Sequence, residues 1–321
     1  MNSWRTGSTR PAERFREPLP LWIMASILLA HPVFLAHDEA EREASSPYFP
    51  LGLLYLASYV RERGHDVSIF DGTFAAGEDA FVSHLEQHKP DVVGIAALIT
   101  SKDSALSLAR IAAASGASVI LGGPDPTIDP ATYLAERAVD LVVHHEGEQT
   151  IAALLDRVDE GTLTLPGIED EQGIAFRQGA RIQINQPRPP IENLDELPPP
   201  ARDLIDMDRY FQMWEESRGY TSITVSTSRG CPFGCQWCVD AVHGQEFRQR
   251  SPESVAAEVR ELEKIYGPES IRLVDDISGI DREFFEAWSD EADRLKSSAT
   301  FEPLDKAVVA DLPLLEVRDS L

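Results

Sequence analysis

Cysteine is scarce in this sequence: its 321 residues include three, and all three lie between positions 231 and 238. This excludes a disulfide framework, which needs an even number of cysteines spread along the chain. It also excludes an iron–sulfur cluster whose four irons are all ligated by cysteine, because there is no fourth cysteine. Clustered thiols are typical of reducing compartments, so we expect a cytoplasmic protein.

Basic residues are also few. Lys and Arg number 29 against 54 Asp and Glu, which leaves a formal net charge of −25. Such a surface repels phosphate backbones, and we therefore expect no nucleic acid among the partners.

A membrane span is not expected either. The apolar run at residues 19–35 is interrupted by Pro20, His31 and Pro32, whereas a membrane helix needs about 20 predominantly apolar residues. Arginines precede the run, so an exported or membrane-associated protein is the alternative. We interpret residues 25–30 as a buried first strand and residues 1–20 as a disordered N-terminal extension.

The cysteines Cys231, Cys235 and Cys238 follow the spacing C-x3-C-x2-C. A proline and a glycine between them indicate an irregular loop, which argues against three unrelated buried cysteines. Three thiolates on one short loop can occupy three corners of a soft-metal site. A [4Fe–4S] cluster with one open iron is the favoured interpretation, and a Cys3His zinc site completed by His243 is the alternative.

The segment from Thr224 to Cys238 resembles the cluster loop of the radical S-adenosylmethionine (SAM) superfamily, whose pattern is C-x3-C-x-aromatic-C. The resemblance implies that the open iron binds the amino and carboxylate groups of SAM, which is then cleaved to a 5′-deoxyadenosyl radical. It implies that Trp237 lies beside the adenine and that a protein such as flavodoxin or ferredoxin donates the electron. It also implies that Asp275 and Asp276 hold the amino group of SAM; helix capping is the alternative role for them.

Strands and helices alternate between the first strand and residue 160. The further predicted strands cover residues 66–70, 91–97, 118–121 and 139–143. This alternation predicts an α/β fold, with a doubly wound parallel sheet of the flavodoxin-like kind over residues 21–160. Ligands of such sheets bind at the carboxyl ends of the strands.

The ligand of this sheet is indicated by spacing. No G-x-G-x-x-G follows the first strand, which argues against a dinucleotide. Cobalamin-binding domains of methionine synthase and the mutases carry D-x-H-x-x-G, then S-x-L, then Gly-Gly. Anchoring that order on Gly122 and Gly123 places the other two elements at residues 96–98 and 47–52. Phe49 then takes the place of the axial histidine, and a phenyl ring cannot ligate cobalt.

Lack of that histidine is characteristic of the cobalamin-binding radical SAM family, and residues 50–58, 121–127 and 146–148 resemble phrases of that family. Each phrase alone is also explained by a glycine-rich turn at the end of a strand. The resemblance implies a cobalamin site formed by Phe49, Gly52, Leu98, Thr100, Gly122, Gly123, Pro124, Glu146 and Gly147.

The remaining sequence divides into two parts. Residues 161–220 contain a predicted β-hairpin and a proline-rich stretch, interpreted as a stiff linker too poor in aliphatic residues to form core. Residues 221–321 begin a second β/α pattern, which resembles an incomplete radical SAM barrel. The family barrel has six β/α units, and two units with the start of a third are recognisable here. A truncated coding sequence, a second chain that completes the barrel, or a member without activity would each account for this.

The sequence therefore predicts a cobalamin-dependent radical SAM enzyme that acts on a small molecule. Methylation of an unactivated carbon is favoured over oxidative cyclisation. The alternatives are a non-catalytic relative that binds cobalamin or a cluster, and a Cys3His zinc-binding protein.

Overall fold

The computed structural model describes residues 24–37, 46–161, 163, 165–236, 238, 241–294 and 300–302. The predicted extension at residues 1–20 and the predicted adenine neighbour Trp237 lie outside these residues. So does everything after residue 302.

The N-terminal part is built on five parallel strands. They are β1 (Ser26–His31), β2 (Asp66–Asp71), β3 (Val92–Ala96), β4 (Ser118–Gly122) and β5 (Leu141–Val143). Their order in the sheet is β2-β1-β3-β4-β5, and every pairing among them is parallel. This is the flavodoxin-like order, and it confirms the predicted α/β fold class.

Helices cover both faces of this sheet. They are α1 (Leu51–Glu62), α2 (Glu78–His88), α3 (Lys102–Ser115), α4 (Pro124–Ile128), α5 (Pro130–Leu134) and α6 (Glu148–Asp159). The apolar side chains of α1 and α6 share one core cluster, and those of α2, α3 and α5 share the other. The sheet is therefore wound on two sides, as the alternating pattern predicts.

The predicted hairpin extends the same sheet. After the short helix α7 (Leu165–Ile168), strands β6 (Ile174–Gln178) and β7 (Arg181–Ile184) form an antiparallel pair, and β6 pairs antiparallel with β5. The hairpin, grouped with the linker in the sequence-based division of the chain, thus completes a seven-stranded sheet.

The proline-rich stretch contributes residues to the core, so the expectation that it forms only a linker without core residues is wrong. Ile191, Leu194 and Ala201 are buried. The stretch is also hydrogen-bonded to α1, because Ser58 Oγ donates to the Pro199 carbonyl at 2.6 Å. Leu197 and Ala201 also pack in the core cluster that contains residues of both halves of the molecule.

Helix α8 (Met207–Arg218) follows the stretch and packs against the sheet. The Tyr210 hydroxyl donates to Asp71 Oδ2 at 2.7 Å, and Trp214 Nε1 donates to the Pro47 carbonyl at 2.9 Å. One core cluster contains residues of the first sheet, of α8 and of the second β/α pattern. The two parts therefore share buried apolar surface.

The C-terminal part is the start of a β/α barrel, as predicted. It contains β8 (Ser222–Val225), β9 (Ser228–Arg229), β10 (Arg248–Gln249), α9 (Pro252–Tyr266), β11 (Ser270–Leu273), α10 (Arg282–Arg294) and β12 (Thr300–Glu302). Strands β8, β11 and β12 form a parallel sheet, and β9 and β10 form a short antiparallel ladder on either side of the cysteine segment. Ser251 caps α9 through the N–H of Ser254, and Gly267 ends it in the left-handed conformation.

Among the helices that the structure describes, none is long and apolar enough to cross a membrane. The apolar run at residues 19–35 contributes strand β1, which is buried between β2 and β3.

Candidate cofactor site between the two domains

A cavity of about 770 Å³ lies at the carboxyl ends of the parallel strands. Its walls come from the loops after β1, β3, β4 and β5, from the start of α1, and from the cysteine-bearing part of the second domain. The volume is in the range of small-molecule and cofactor sites. Its position is the one at which doubly wound sheets bind ligands.

The structure brings the predicted cobalamin positions together at this cavity. All nine line it: Phe49, Gly52, Leu98, Thr100, Gly122, Gly123, Pro124, Glu146 and Gly147. They come from four separate loops, so their meeting was not imposed by sequence proximity. Their contact with a cofactor stays a prediction.

Two glycines shape the wall of the cavity in different ways. A Cβ on Gly52 would meet no atom within 4 Å, so this position at the start of α1 faces empty space. Gly123 has φ +105°, and a Cβ there would lie 2.9 Å from the Ala97 carbonyl oxygen. A side chain at either position would narrow the cavity or displace its wall. A bare backbone floor beneath open space fits a large flat ligand such as a corrin ring.

Phe49 is buried at the edge of the cavity, and its ring centroid lies 4.6 Å from that of Tyr210. The phenyl ring therefore also packs against the second half of the molecule.

Imidazoles reach the cavity from other loops. Burial lowers the pKa of His31 against the opposing effect of Asp71, and His145 has the left-handed backbone conformation at φ 62°. A non-glycine residue with positive φ is uncommon and clusters at functional sites.

The cysteine segment is a loop closed by the β9–β10 ladder. Gly230 has φ +82°, and a Cβ on it would lie 2.2 Å from the Glu246 carbonyl oxygen, so the loop requires glycine at this position. The N–H of Cys231 donates to the Gly244 carbonyl, and that of Cys238 to the Cys235 carbonyl, both at 3.1 Å. No disulfide joins these three cysteines, and Cys235 and Cys238 are exposed. Exposed thiols on a folded loop are accessible to a metal or a cluster.

The two neighbouring aspartates have different environments. Asp275 accepts hydrogen bonds from the N–H groups of Thr227 and Ser228 at 2.6 and 3.0 Å, and from three hydroxyl groups. Burial raises its pKa, and these hydrogen bonds offset the effect only in part. Asp275 does not line the cavity. Its carboxylate holds the turn between β8 and the cysteine loop.

Asp276 lines the cavity. Its Oδ2 accepts a hydrogen bond from the N–H of Gly230 at 2.8 Å and lies 2.8 Å from His243 Nδ1. Burial alone would raise the pKa of Asp276, but His243 and Gly230 together hold it below the ordinary value. Of the predicted pair, Asp276 is therefore the carboxylate that a ligand in the cavity can reach.

A buried ion-pair network joins the two domains, and sequence reasoning missed it. Arg229 donates to Glu148 at 2.6 Å, and Arg248 lies 2.6 Å from Glu146. The side chains of all four are less than a tenth exposed. The sequence signal was an acidic Glu-Gly-Glu phrase and an arginine immediately before the Gly-Cys of the loop, but spacing alone does not pair residues about eighty positions apart.

These features define a class: an α/β protein in which a doubly wound sheet and the start of a β/α barrel border a cavity beside a three-cysteine loop. Comparisons with known proteins agree. Residues 42–155 match the B12 binding domain. An uncharacterized methyltransferase of Pyrococcus horikoshii is 37% identical over 235 residues, which are 71% of this chain and 48% of the relative.

The anaerobic magnesium-protoporphyrin IX monomethyl ester cyclase of Synechocystis is 28% identical over 235 residues, 71% of this chain and 45% of the relative. The solved structure of the cobalamin-dependent SAM radical enzyme OxsB with aqua-cobalamin bound shares the fold, with a TM-score of 0.71 at 17% identity. The match covers 87% of this chain and 38% of OxsB. These matches agree with the predicted resemblance to the cobalamin-binding radical SAM family, and the chain spans about half the length of the curated relatives it matches.

Proposed function

We propose that the cavity binds cobalamin and that Cys231, Cys235 and Cys238 hold a [4Fe–4S] cluster that cleaves SAM. The observation that carries this proposal is that the predicted cobalamin positions and the cysteine-bearing domain border the same cavity. Two cofactors that act on one substrate must lie close together, and a shared cavity provides that proximity.

The chain's own residues have distinct tasks in this proposal. Gly52 leaves room for the corrin ring, Gly123 lets the backbone of its turn lie close to Ala97, and Asp276 accepts a hydrogen bond from the ammonium group of SAM. Asp275 and Gly230 hold the start of the loop that carries the three cysteines. When bound, a cluster of this kind supplies the electron that cleaves SAM, and cobalamin carries the methyl group.

The proposed reaction is methylation of an unactivated carbon of a small molecule. Relatives named as methyltransferases favour this choice. Oxidative cyclisation is the second candidate, because a magnesium-protoporphyrin ester cyclase is similar over the same share of the chain. Flavodoxin or ferredoxin is the proposed electron donor, and the cytoplasm the proposed location.

Cofactor binding and turnover can be tested separately. Hydroxocobalamin should co-elute with the protein in gel filtration, and anaerobic reconstitution should yield about four irons per chain. With dithionite and SAM, the reconstituted protein should release 5′-deoxyadenosine, and Cys235→Ala should remove both iron and product. Iron binding without SAM cleavage would exclude the catalytic proposal and leave a binding protein.

A zinc site is a second candidate for the loop, favoured by one observation. His243 Nδ1 is held by Asp276, which is the arrangement common to zinc-bound histidines and leaves Nε2 for the metal. Zinc retained at one per chain after anaerobic purification, and lost in His243→Ala, would support it. Iron incorporation that is unaffected by His243→Ala would exclude it.

A further inference from the structure

Arg229 connects the cysteine loop to the B12-binding domain. It lies two residues before Cys231, and its guanidinium crosses to the first turn of α6. There it donates to Glu148 Oε1 at 2.6 Å, and its other terminal nitrogen lies 3.6 Å from Glu146 Oε2. The start of the loop is thereby attached to the opposite domain.

Arg248 attaches the other end of the loop to the same phrase. One of its terminal nitrogens lies 2.6 Å from Glu146 Oε1, and the other donates to the Ile191 carbonyl at 2.7 Å. The N–H of Ile191 donates to Glu146 Oε2 at 3.0 Å, so Ile191 contacts both members of the ion pair. Arg229 and Arg248 are also cross-strand partners in the β9–β10 ladder. Residues 146–148 therefore hold both strands that border the cysteine segment.

Breaking any one of these ion pairs leaves a buried charge without its partner. Arg229, Glu146 and Glu148 are buried, and Glu148 also occupies the positive end of α6. A buried charge that loses its partner keeps the cost of desolvation without the compensating attraction. The loop and the start of α6 must consequently move together.

The same residues form part of the cavity wall. Glu146, Gly147, Glu148 and Arg229 all line it. A ligand in the cavity therefore contacts the groups that hold the loop, and it favours the arrangement of those groups to which it binds best.

We propose that residues 146–148, with Arg229 and Arg248 as positioning residues, couple occupancy of the cobalamin cavity to the order of the cysteine loop. This inference rests on the proposed function, since it takes cobalamin as the occupant. Linkage requires the effect to be reciprocal: an ordered loop strengthens cobalamin binding by the same factor by which cobalamin orders the loop.

The cysteines themselves report on the loop, because all three of the protein's thiols lie on it. The metal-free full chain is treated with N-ethylmaleimide with and without saturating cyanocobalamin, and alkylation of each cysteine is followed by mass spectrometry. Cyanocobalamin should slow alkylation of the wild type about fivefold, at the lower end of ordinary coupling strengths. Glu148→Gln, which keeps the shape and removes the charge, should reduce that factor to below about twofold at saturating cyanocobalamin.

Glu258→Gln is the matched control. Glu258 forms a buried ion pair with Arg202 and is not among the cavity-lining residues. It should lower stability without changing the protection by cyanocobalamin. If circular dichroism shows that Glu148→Gln does not fold, Glu146→Gln takes its place, with the same expected loss of protection.

The outcomes are distinguishable. Absence of cyanocobalamin binding to the wild type would overturn the cobalamin site and the coupling together. Binding with unchanged alkylation would overturn the coupling alone. Full protection in the folded glutamine variants would show that cobalamin shields the thiols directly, which also overturns it.

Discussion

Replacing Asp275 separates a structural role from a role in binding SAM. The carboxylate of Asp275 accepts hydrogen bonds from two kinds of donor. Its Oδ1 accepts from the N–H groups of Thr227 and Ser228, which cannot rotate, and from the Ser226 hydroxyl. Its Oδ2 accepts from the hydroxyls of Thr227 and Ser278, which can turn and become acceptors.

The difference between the two kinds of donor determines how much unfolding free energy each substitution should cost. In Asp275→Asn, the amide oxygen can take the place of Oδ1, and the amide N–H groups can donate to the two hydroxyls. The expected loss of unfolding free energy is about 1 kcal/mol or less. In Asp275→Ala, two backbone N–H groups lose their acceptor at about 1–3 kcal/mol each. Since Asp275 is not completely enclosed, water offsets part of this, and we expect a loss of about 2–4 kcal/mol.

Urea unfolding followed by tryptophan fluorescence measures the two losses. SAM binding to the reconstituted protein, measured by equilibrium dialysis, supplies the second readout. Asp275→Asn should bind SAM like the wild type, whereas Asp276→Asn should bind it more weakly because Asp276 faces the cavity. Equal destabilisation by Asn and Ala, or weak SAM binding by a stable Asp275→Asn protein, would refute the assignment of Asp275 to the turn.

Three further predictions concern the loop, the cavity and the interface. Gly230→Ala should abolish iron incorporation although all three cysteines remain, because its Cβ would lie 2.2 Å from the Glu246 carbonyl oxygen; normal iron content would contradict this. Gly52→Trp should prevent cobalamin binding with little change in the urea midpoint, because the position faces open space; a variant that still binds cobalamin would show that the ligand lies elsewhere. Burial alone would raise the pKa of Glu148, but Arg229 holds this pKa below the ordinary value of 4.5. The ion pair therefore stabilises the fold above pH 4.5, and this stabilisation is lost as the pH falls through the lowered pKa. Urea unfolding between pH 6 and pH 3.5 should therefore depend less on pH in Glu148→Gln than in the wild type, and equal dependence would contradict the pairing.

Local patterns predicted much of the fold and the place of the site. The strand–helix alternation indicated the five parallel strands. The spacing anchored on Gly122, together with the family phrase at residues 146–148, indicated four chain segments that the structure places around one cavity. These successes share a cause: turns and caps are specified by residues near one another in sequence, and the carboxyl ends of parallel strands always meet at one edge.

The features that escaped prediction depend on contacts distant in sequence. The proline-rich stretch was expected to contribute no core, yet Ile191 and Leu194 are buried, and Ala201 belongs to the core cluster that both domains share. The pairing of Arg229 with Glu148 could not be inferred from either residue alone. Each is an ordinary surface residue until the two domains are placed face to face.

The residue at position 49 connects the chemistry of the cavity to the packing of the domains. If Phe49 occupies the position of the axial histidine, as the spacing predicts, a polar ligand of cobalt has been replaced by an apolar ring. That ring is buried beside Tyr210 on α8, and the Tyr210 hydroxyl is in turn held by Asp71 at the end of β2. An imidazole buried at position 49 would need a hydrogen-bond partner or a metal, whereas burial of the phenylalanine ring stabilises the fold without one. On that prediction, the residue that stands in place of a cobalt ligand also packs α8 against the rim of the cavity.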